Sequence, residues 1–230
     1  MSENKNTLKP CEVRRICLEN DLEISDTQWQ LLEKWATLLL DVNQNVNLIS
    51  RKETDLLWEK QILPCLSLLI FRKIPAGVDV CDFGTGGGLP GVILAIVRPD
   101  LRLTLLDSRQ KKVAVVQQMI DTLKLSNVQT VHGRGEELGK QRPPPWRQRF
   151  PFVTARAVAP LIDLVRWTSA LRKPESVLHV FKGGEFRDEF KALTKMVSGF
   201  KVKKSLMVLK GYSQFAENQK YIISLEFSSG

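Results

Sequence analysis

Hydrophobic positions change their period along this chain, and the change divides it in two. Leu32, Trp35, Ala36 and Leu39 recur at the three-and-four spacing of one helical face, and Ser25 followed three residues later by Gln28 supplies a capping box to start that helix. A second helix is expected from about Thr54, burying Leu57, Ile62, Leu66 and Leu69, with Pro64 kinking or restarting it because proline has no N–H for the helical ladder. Between the two, "NQNVNLISRK" is rich in asparagine and has no period, and the residues ahead of Ser25 read as a polar lead. Residues 1–75 are therefore expected to form an N-terminal helical region.

After "RKIPAG" the pattern becomes short apolar runs alternating with amphipathic helices. "VDVCDF" reads as a buried strand, "PGVILAIVR" as a helix with Pro90 in its first turn, and "LRLTLLD" as a second strand. "QKKVAVVQQMIDTLK" is a helix with Val113, Val116, Ile120 and Leu123 on one face. "VQTVHG", "FPFVTA" and "SVLHVFKG" continue as strands, with "PLIDLVRWTSAL" as the helix between the last two and another helix near 185–198. "KVKKSLMVLK" and "KYIISLEF" then follow as consecutive strands. Residues 76–230 are thus expected to be α/β, a doubly wound and mostly parallel sheet ending in an antiparallel C-terminal hairpin. Ligands of such sheets lie beyond the carboxyl ends of the strands. That rule selects the turns at 82–88, 107–109, 132–137, 155–156 and 182–184, which should meet around one crevice.

Composition narrows the class. With 43% hydrophobic and 26% charged residues, the 230-residue chain can build a core, which excludes a disordered polyelectrolyte. "LSLLIF" is far too short to span a membrane, and "MSENKNTLKP" lacks the apolar core of a signal peptide, so a cytoplasmic location and no membrane partner are expected. Cys11, Cys17, Cys65 and Cys81 form no C-x-x-C pair, and His132 and His179 add too little for a metal set, so reduced structural thiols and no metal are expected. The first 75 residues carry 10 Lys and Arg against 11 Asp and Glu, so the net charge of +9 is held beyond them. A polyanionic partner would therefore meet the second part of the chain.

The candidate chemistry begins at "VCDFGTGGGLPG", where three environments fit the glycines. Gly86, Gly88 and Gly91 spell G-x-G-x-x-G, and Asp107 stands where a dinucleotide's ribose would need an acid. Against a dinucleotide-dependent oxidoreductase, the Asp82 carboxylate would repel a diphosphate and Pro90 removes an amide donor. S-adenosylmethionine reverses those charges: Asp82 with Gly84, Gly86 and Gly88 suits a cation close to bare backbone, Asp107 suits the ribose hydroxyls, and Glu136 can flank adenine. A plain strand-to-helix turn whose acids cap helices is the third possibility. For a methyl donor, the acceptor then matters. No Asn or Asp with Pro-Pro-Tyr follows the fourth strand, which reads "TARAVAP", and the Pro-Cys pair Pro64–Cys65 lies in the helical region. No Asp follows that strand to serve a ribose hydroxyl, which leaves a ring nitrogen with a free lone pair, such as guanine N7, needing placement alone.

Basic residues concentrate between Arg134 and Lys173. The loop "GKQRPPPWRQRFP" joins Lys140, Arg142, Arg147 and Arg149 to Trp146 and Phe150, a mixture suited to phosphate contact and base stacking. Arg156 at a strand end is expected to touch cofactor or substrate as a positioning group, with Lys182 in the analogous place after the fifth strand. Arg147, Arg149 and Lys182 are the candidate RNA contacts, and His132 and His179 are taken as structural.

These blocks resemble the RsmG (GidB) family, guanine-N7 methyltransferases of 16S ribosomal RNA. The similarity runs from "NVNLISRKE" through "DFGTGGGLPGVILAIVRPDLRLTLLDSRQKKV", "VHGRGEEL" and "TARAVAPL" to "FKGG". It implies a class I, Rossmann-like methyltransferase core behind a helical N-terminal region, S-adenosylmethionine as cofactor, and 16S ribosomal RNA or the small subunit as partner of a monomeric enzyme. Carried over by position, it implies cofactor contacts from Gly84 and Leu89, from Asp107, Ser108 and Arg109, and from Gly135 and Glu136, with Arg156 reaching cofactor or target. A non-catalytic RNA-binding module on the same fold is the alternative. Two departures stand out: Gln61, Pro64 and Cys65 replace a histidine followed closely by Asp-Ser, and Gly135 replaces alanine or valine, which reads as a small change.

Overall fold

The computed structural model describes residues 7–141 and 145–228. Helix α1 (Pro10–Glu19) replaces the expected polar lead, starting at a proline that needs no N–H donor and burying Val13, Ile16 and Cys17. Helix α2 (Asp26–Asn43) begins at the expected capping box: the Ser25 hydroxyl accepts from the Gln28 amide at 3.3 Å and the Gln28 side chain accepts from the Ser25 amide at 3.0 Å. A 3₁₀ turn (Arg51–Glu53) leads to a π-helical segment (Leu57–Ile62), which passes directly into α3 (Leu63–Phe71) with Pro64 in its first turn. Proline restarts the helix there, as its missing N–H requires.

The rest is one seven-stranded sheet. Its elements are β1 (Asp79–Phe83), α4 (Gly91–Val97), β2 (Arg102–Asp107), α5 (Gln110–Leu123), β3 (Val128–His132), α6 (Gly135–Leu138), β4 (Phe150–Arg156), α7 (Leu161–Thr168), β5 (Arg172–Gly183), α8 (Arg187–Met196), β6 (Phe200–Leu206), α9 (Gln214–Glu217) and β7 (Lys220–Phe227). The order is β3-β2-β1-β4-β5-β7-β6, with β1 to β5 parallel and the β6–β7 hairpin antiparallel, as expected. Strand order switches between β1 and β4, so a crevice opens beyond their carboxyl ends.

Alternation along β1 sends its side chains to two different cores. Val80 joins a core built with α1 to α5, whereas Cys81 and Phe83 join one built with α7 and α8. Every residue of α4 is buried, because α2 and α3 cover the side that faces away from the sheet. The helical region and that sheet face thus share one continuous core. Buried Arg72 ties the end of α3 to β7: its Nε donates to Ser224 Oγ at 2.6 Å, and its Nη2 donates to the Ile222 carbonyl at 3.1 Å.

Candidate active site

The turn after β1 is built around a buried carboxylate. Asp82 Oδ2 accepts from Thr85 Oγ1 at 2.6 Å and from the Gly91 amide at 2.8 Å, and Oδ1 accepts from Thr154 Oγ1 at 3.3 Å. Gly91 must be glycine for this bond, since a β-carbon there would lie 2.7 Å from Asp82 Oδ2 and 2.7 Å from Leu105. Burial pushes the Asp82 carboxyl up to about 6, opposed by its three hydrogen bonds and the Arg156 charge. Asp82 is fully buried and does not line the crevice, so its expected contact with a cationic ligand is corrected. It holds the shape of the turn from beneath.

Asp107 works from the crevice side. Its Oδ2 accepts from the Gly86 amide and its Oδ1 from the Arg109 amide, both at 2.9 Å, so one carboxylate braces the first turn against the second. Each oxygen keeps a further lone pair for a hydroxyl. At the third turn, His132 Nε2 lies 3.1 Å from the Ser108 carbonyl. Gly84 has φ +70, and a β-carbon on it would lie 2.6 Å from Val158, so the first and fourth turns touch through bare backbone.

These turns enclose a cavity of about 620 Å³. Gly84, Gly86, Leu89, Asp107, Ser108, Arg109, Gly135, Glu136 and Arg156 all line it, which brings together every expected cofactor residue except Asp82. Gly135 is no small change in this chain, because a β-carbon would lie 2.4 Å from the Phe83 ring and 2.9 Å from the Trp167 carbonyl. The donor set fits S-adenosylmethionine: Asp107 for a diol, Glu136 on the adenine side, apolar Phe83, Leu89 and Leu106, and a loop on which backbone comes close.

Arg156 is held by the departures from the family pattern. Lys60 lies in the π-helical segment that ends just ahead of Pro64, and its carbonyl accepts from Arg156 Nη2 at 2.8 Å. Arg156 Nη1 lies 3.9 Å from Cys65 Sγ, and Gln61 Nε2 donates to Glu53 Oε2 at 2.5 Å. Burial pushes the Cys65 thiol up to about 12, which keeps it a neutral contact and no nucleophile.

The helical region also roofs the cavity, which the sequence pattern does not reveal. Buried Asn43 accepts from the Leu48 and Ile49 amides at 2.8 and 3.0 Å, and Leu48, Ile49, Ser50 and Glu53 line the space over the glycines. A half-used asparagine at the end of a helix is the only local signal. His179 is buried beside Ser224 Oγ at 2.9 Å, and burial lowers its pKa to about 3, so it stays neutral.

The expected RNA contacts do not share one place. Arg149 pairs with Asp79 at 3.4 Å and lies over the Trp146 ring, at the amino end of β4. Seven residues of strand separate that end from Arg156, roughly 20 Å, so Arg147 and Arg149 do not border the crevice. Lys182 pairs with Glu189 at 2.7 Å and lines a neighbouring cavity, so the fifth turn does not share the crevice of the other four. Arg142 of the same loop lies outside the described residues.

Comparison with known proteins agrees with this geometry. A family model described as GidB, rRNA small subunit methyltransferase G, matches residues 28–220. A ribosomal RNA small subunit methyltransferase G of Chlorobium limicola is 36% identical over 212 residues, covering 91% of this chain and 93% of that protein. One of Pelodictyon phaeoclathratiforme is 34% identical over 226 residues, covering 97% and 94%. Among solved structures, a putative rRNA-methylase from Clostridium thermocellum has a TM-score of 0.53 at 18% identity, covering 74% of this chain and 97% of that one. A SAM dependent methyltransferase from Aquifex aeolicus has a TM-score of 0.53 at 15% identity, covering 84% and 97%. At these identities the solved structures speak to the fold.

Proposed function

We infer the function from the premise that this chain belongs to the GidB family, the rRNA small subunit methyltransferases G. It is an S-adenosylmethionine-dependent methyltransferase of ribosomal RNA, and we assign it N7 of a guanine in the 16S molecule of the small subunit, a cytoplasmic substrate. The observation that carries this assignment is the joining of four strand-end turns and the Asn43 roof around one cavity in a chain with that membership. As in the sequence, we divide the protein into a helical region, 1–75, and a methyltransferase domain, 76–230.

When bound, the cofactor supplies an electrophilic methyl group. Asp107 is assigned to the ribose hydroxyls and Glu136 to the adenine side, with Gly84, Gly86, Leu89, Ser108, Arg109 and Gly135 shaping the rest. Arg156, anchored on Lys60, is assigned to positioning the acceptor. N7 carries a lone pair and no proton, so the protein needs no general base, and alignment with water exclusion supplies the rate. Leu48, Ile49 and Phe83 provide that exclusion.

The direct test compares small-subunit RNA from cells with and without the protein, digested and analysed by mass spectrometry. Loss of one 7-methylguanosine is expected, and an unchanged digest would refute the assignment. Asp107→Ala should weaken S-adenosylmethionine binding about tenfold or more, through lost hydroxyl bonds and a slack first turn. An unchanged affinity in a calorimetric titration would take Asp107 out of the site.

A further inference from the structure

A second cavity, of about 460 Å³, adjoins the first. Arg156, Ala157 and Val158 line both, so these residues divide two spaces that meet edge to edge. Aromatic side chains wall the second one, among them Tyr212, Phe215 and Tyr221, while Lys60 and Lys220 stand among its lining residues. The Tyr212 and Phe215 rings pack edge to face with centroids 4.9 Å apart, and the Tyr212 hydroxyl donates to Glu59 at 2.9 Å, which fixes that wall. An aromatic chamber flanked by cations suits an unstacked base whose phosphates remain outside.

We propose that this second cavity receives the acceptor guanine, drawn out of the RNA strand, and that Glu53 reads its Watson–Crick edge. The proposal rests on the function inferred above. A base in this chamber can turn N7 towards the Arg156–Val158 divide and hence towards the cofactor cavity. Its N1–H and 2-amino group are then the donors left to satisfy, and a carboxylate is a partner that only accepts. Glu53 lines both cavities. Gln61 holds one of its oxygens, and among the described residues the other has no hydrogen-bond partner and the carboxylate has no ion pair. Adenine would set its N1 acceptor against that carboxylate and offers no 2-amino group, so it is rejected.

The same carboxylate serves the reaction. N7 forms the new bond with its own lone pair, the electrons of the broken carbon–sulfur bond go to sulfur, and the positive charge passes to the base. No proton is released. A carboxylate bonded to that ring favours the charged product over the neutral reactant.

The test uses whole protein, S-adenosylmethionine and small-subunit RNA carrying either guanosine or inosine at the methylated position. Inosine lacks the 2-amino group alone. Wild-type enzyme should lose about tenfold in kcat/KM on the inosine RNA. Glu53→Gln, which sets an amide N–H against the donors of the base, should lose about 30-fold on guanosine RNA and nothing further on inosine RNA. A Glu53→Gln enzyme equal to wild type on both RNAs overturns the pocket, as does a loss that follows weakened cofactor binding in a titration. Absence of methyl transfer by wild type to small-subunit RNA is a different result, and it removes the underlying function together with the pocket.

Discussion

Asp82 and Asp107 close neighbouring parallel strands, yet their surroundings give one carboxylate to the fold and the other to the ligand. Alternation decides it: Asp82 shares the parity of Val80, so it points beneath the turn towards α4 and is fully buried there. Its pKa in the folded protein, raised by burial from 3.8 to about 6, means that the folded state holds its proton more tightly than the unfolded chain. That contribution to stability is complete below pH 3.8 and is lost as pH rises through about 6. Asp82→Asn carries no such charge, so wild-type stability relative to this variant should fall by about 3 kcal/mol across that window and level off above it. Urea unfolding at a series of pH values measures the difference, and parallel profiles would show that folding does not raise the Asp82 pKa.

At the scale of elements, the strands and their helices were legible because a short apolar run between glycine-rich or charged turns has few other uses. Helix α4 was legible for a further reason that composition alone does not use: "GVILAIV" has no polar face, and a helix buried on all sides needs a layer outside it, which α2 and α3 provide. Helix α1 was hidden by its polar flanks, although Pro10 and the spacing of Val13, Ile16 and Cys17 mark it. The Asn43 roof was not legible, since its two hydrogen bonds exist only once the loop folds back. Pro64 was legible as the point where the helix restarts, but the anchor beside it was not, because it joins residues 96 apart in sequence. The Lys60 carbonyl, in the π-helical segment just ahead of Pro64, accepts from Arg156. Pro64→Ala should let the α-helical register extend back through the π-helical segment and engage the Lys60 carbonyl, loosening Arg156 and lowering kcat about tenfold through misplacement of the acceptor. The melting temperature should change little, because the hydrogen bond gained offsets the greater entropy of the unfolded alanine chain. Normal kcat in the Pro64→Ala enzyme would detach Arg156 from this anchor.

For the whole molecule, the question is which side the RNA approaches, and charge counted along the sequence points to the end opposite the two cavities. The proline loop concentrates Arg147, Arg149 and Trp146, but Arg149 is spent on Asp79 and these three residues lie at the amino end of β4. The cations that border the two cavities are spread through the chain: Lys60 from the helical region, Arg109 and Arg134 from the second and third turns, and Lys220 from the start of β7. No window of sequence collects them, because only the parallel sheet brings successive strand ends to one side. An RNA that places a base in the second cavity must lay its phosphates along this rim. Lys220 is exposed there, so Lys220→Glu should raise KM for the RNA about tenfold and reduce the slope of log affinity against log salt by about 1, with cofactor affinity unchanged. Arg147→Glu, at the far end of β4, changes the net charge equally and should alter KM less than about threefold at physiological salt, where charges beyond a Debye length of ~8 Å are screened. Methylation assays over a range of salt separate the two variants. Equal effects from both would mean that net charge alone attracts the RNA, and a larger effect at Arg147 would place the binding path over the proline loop.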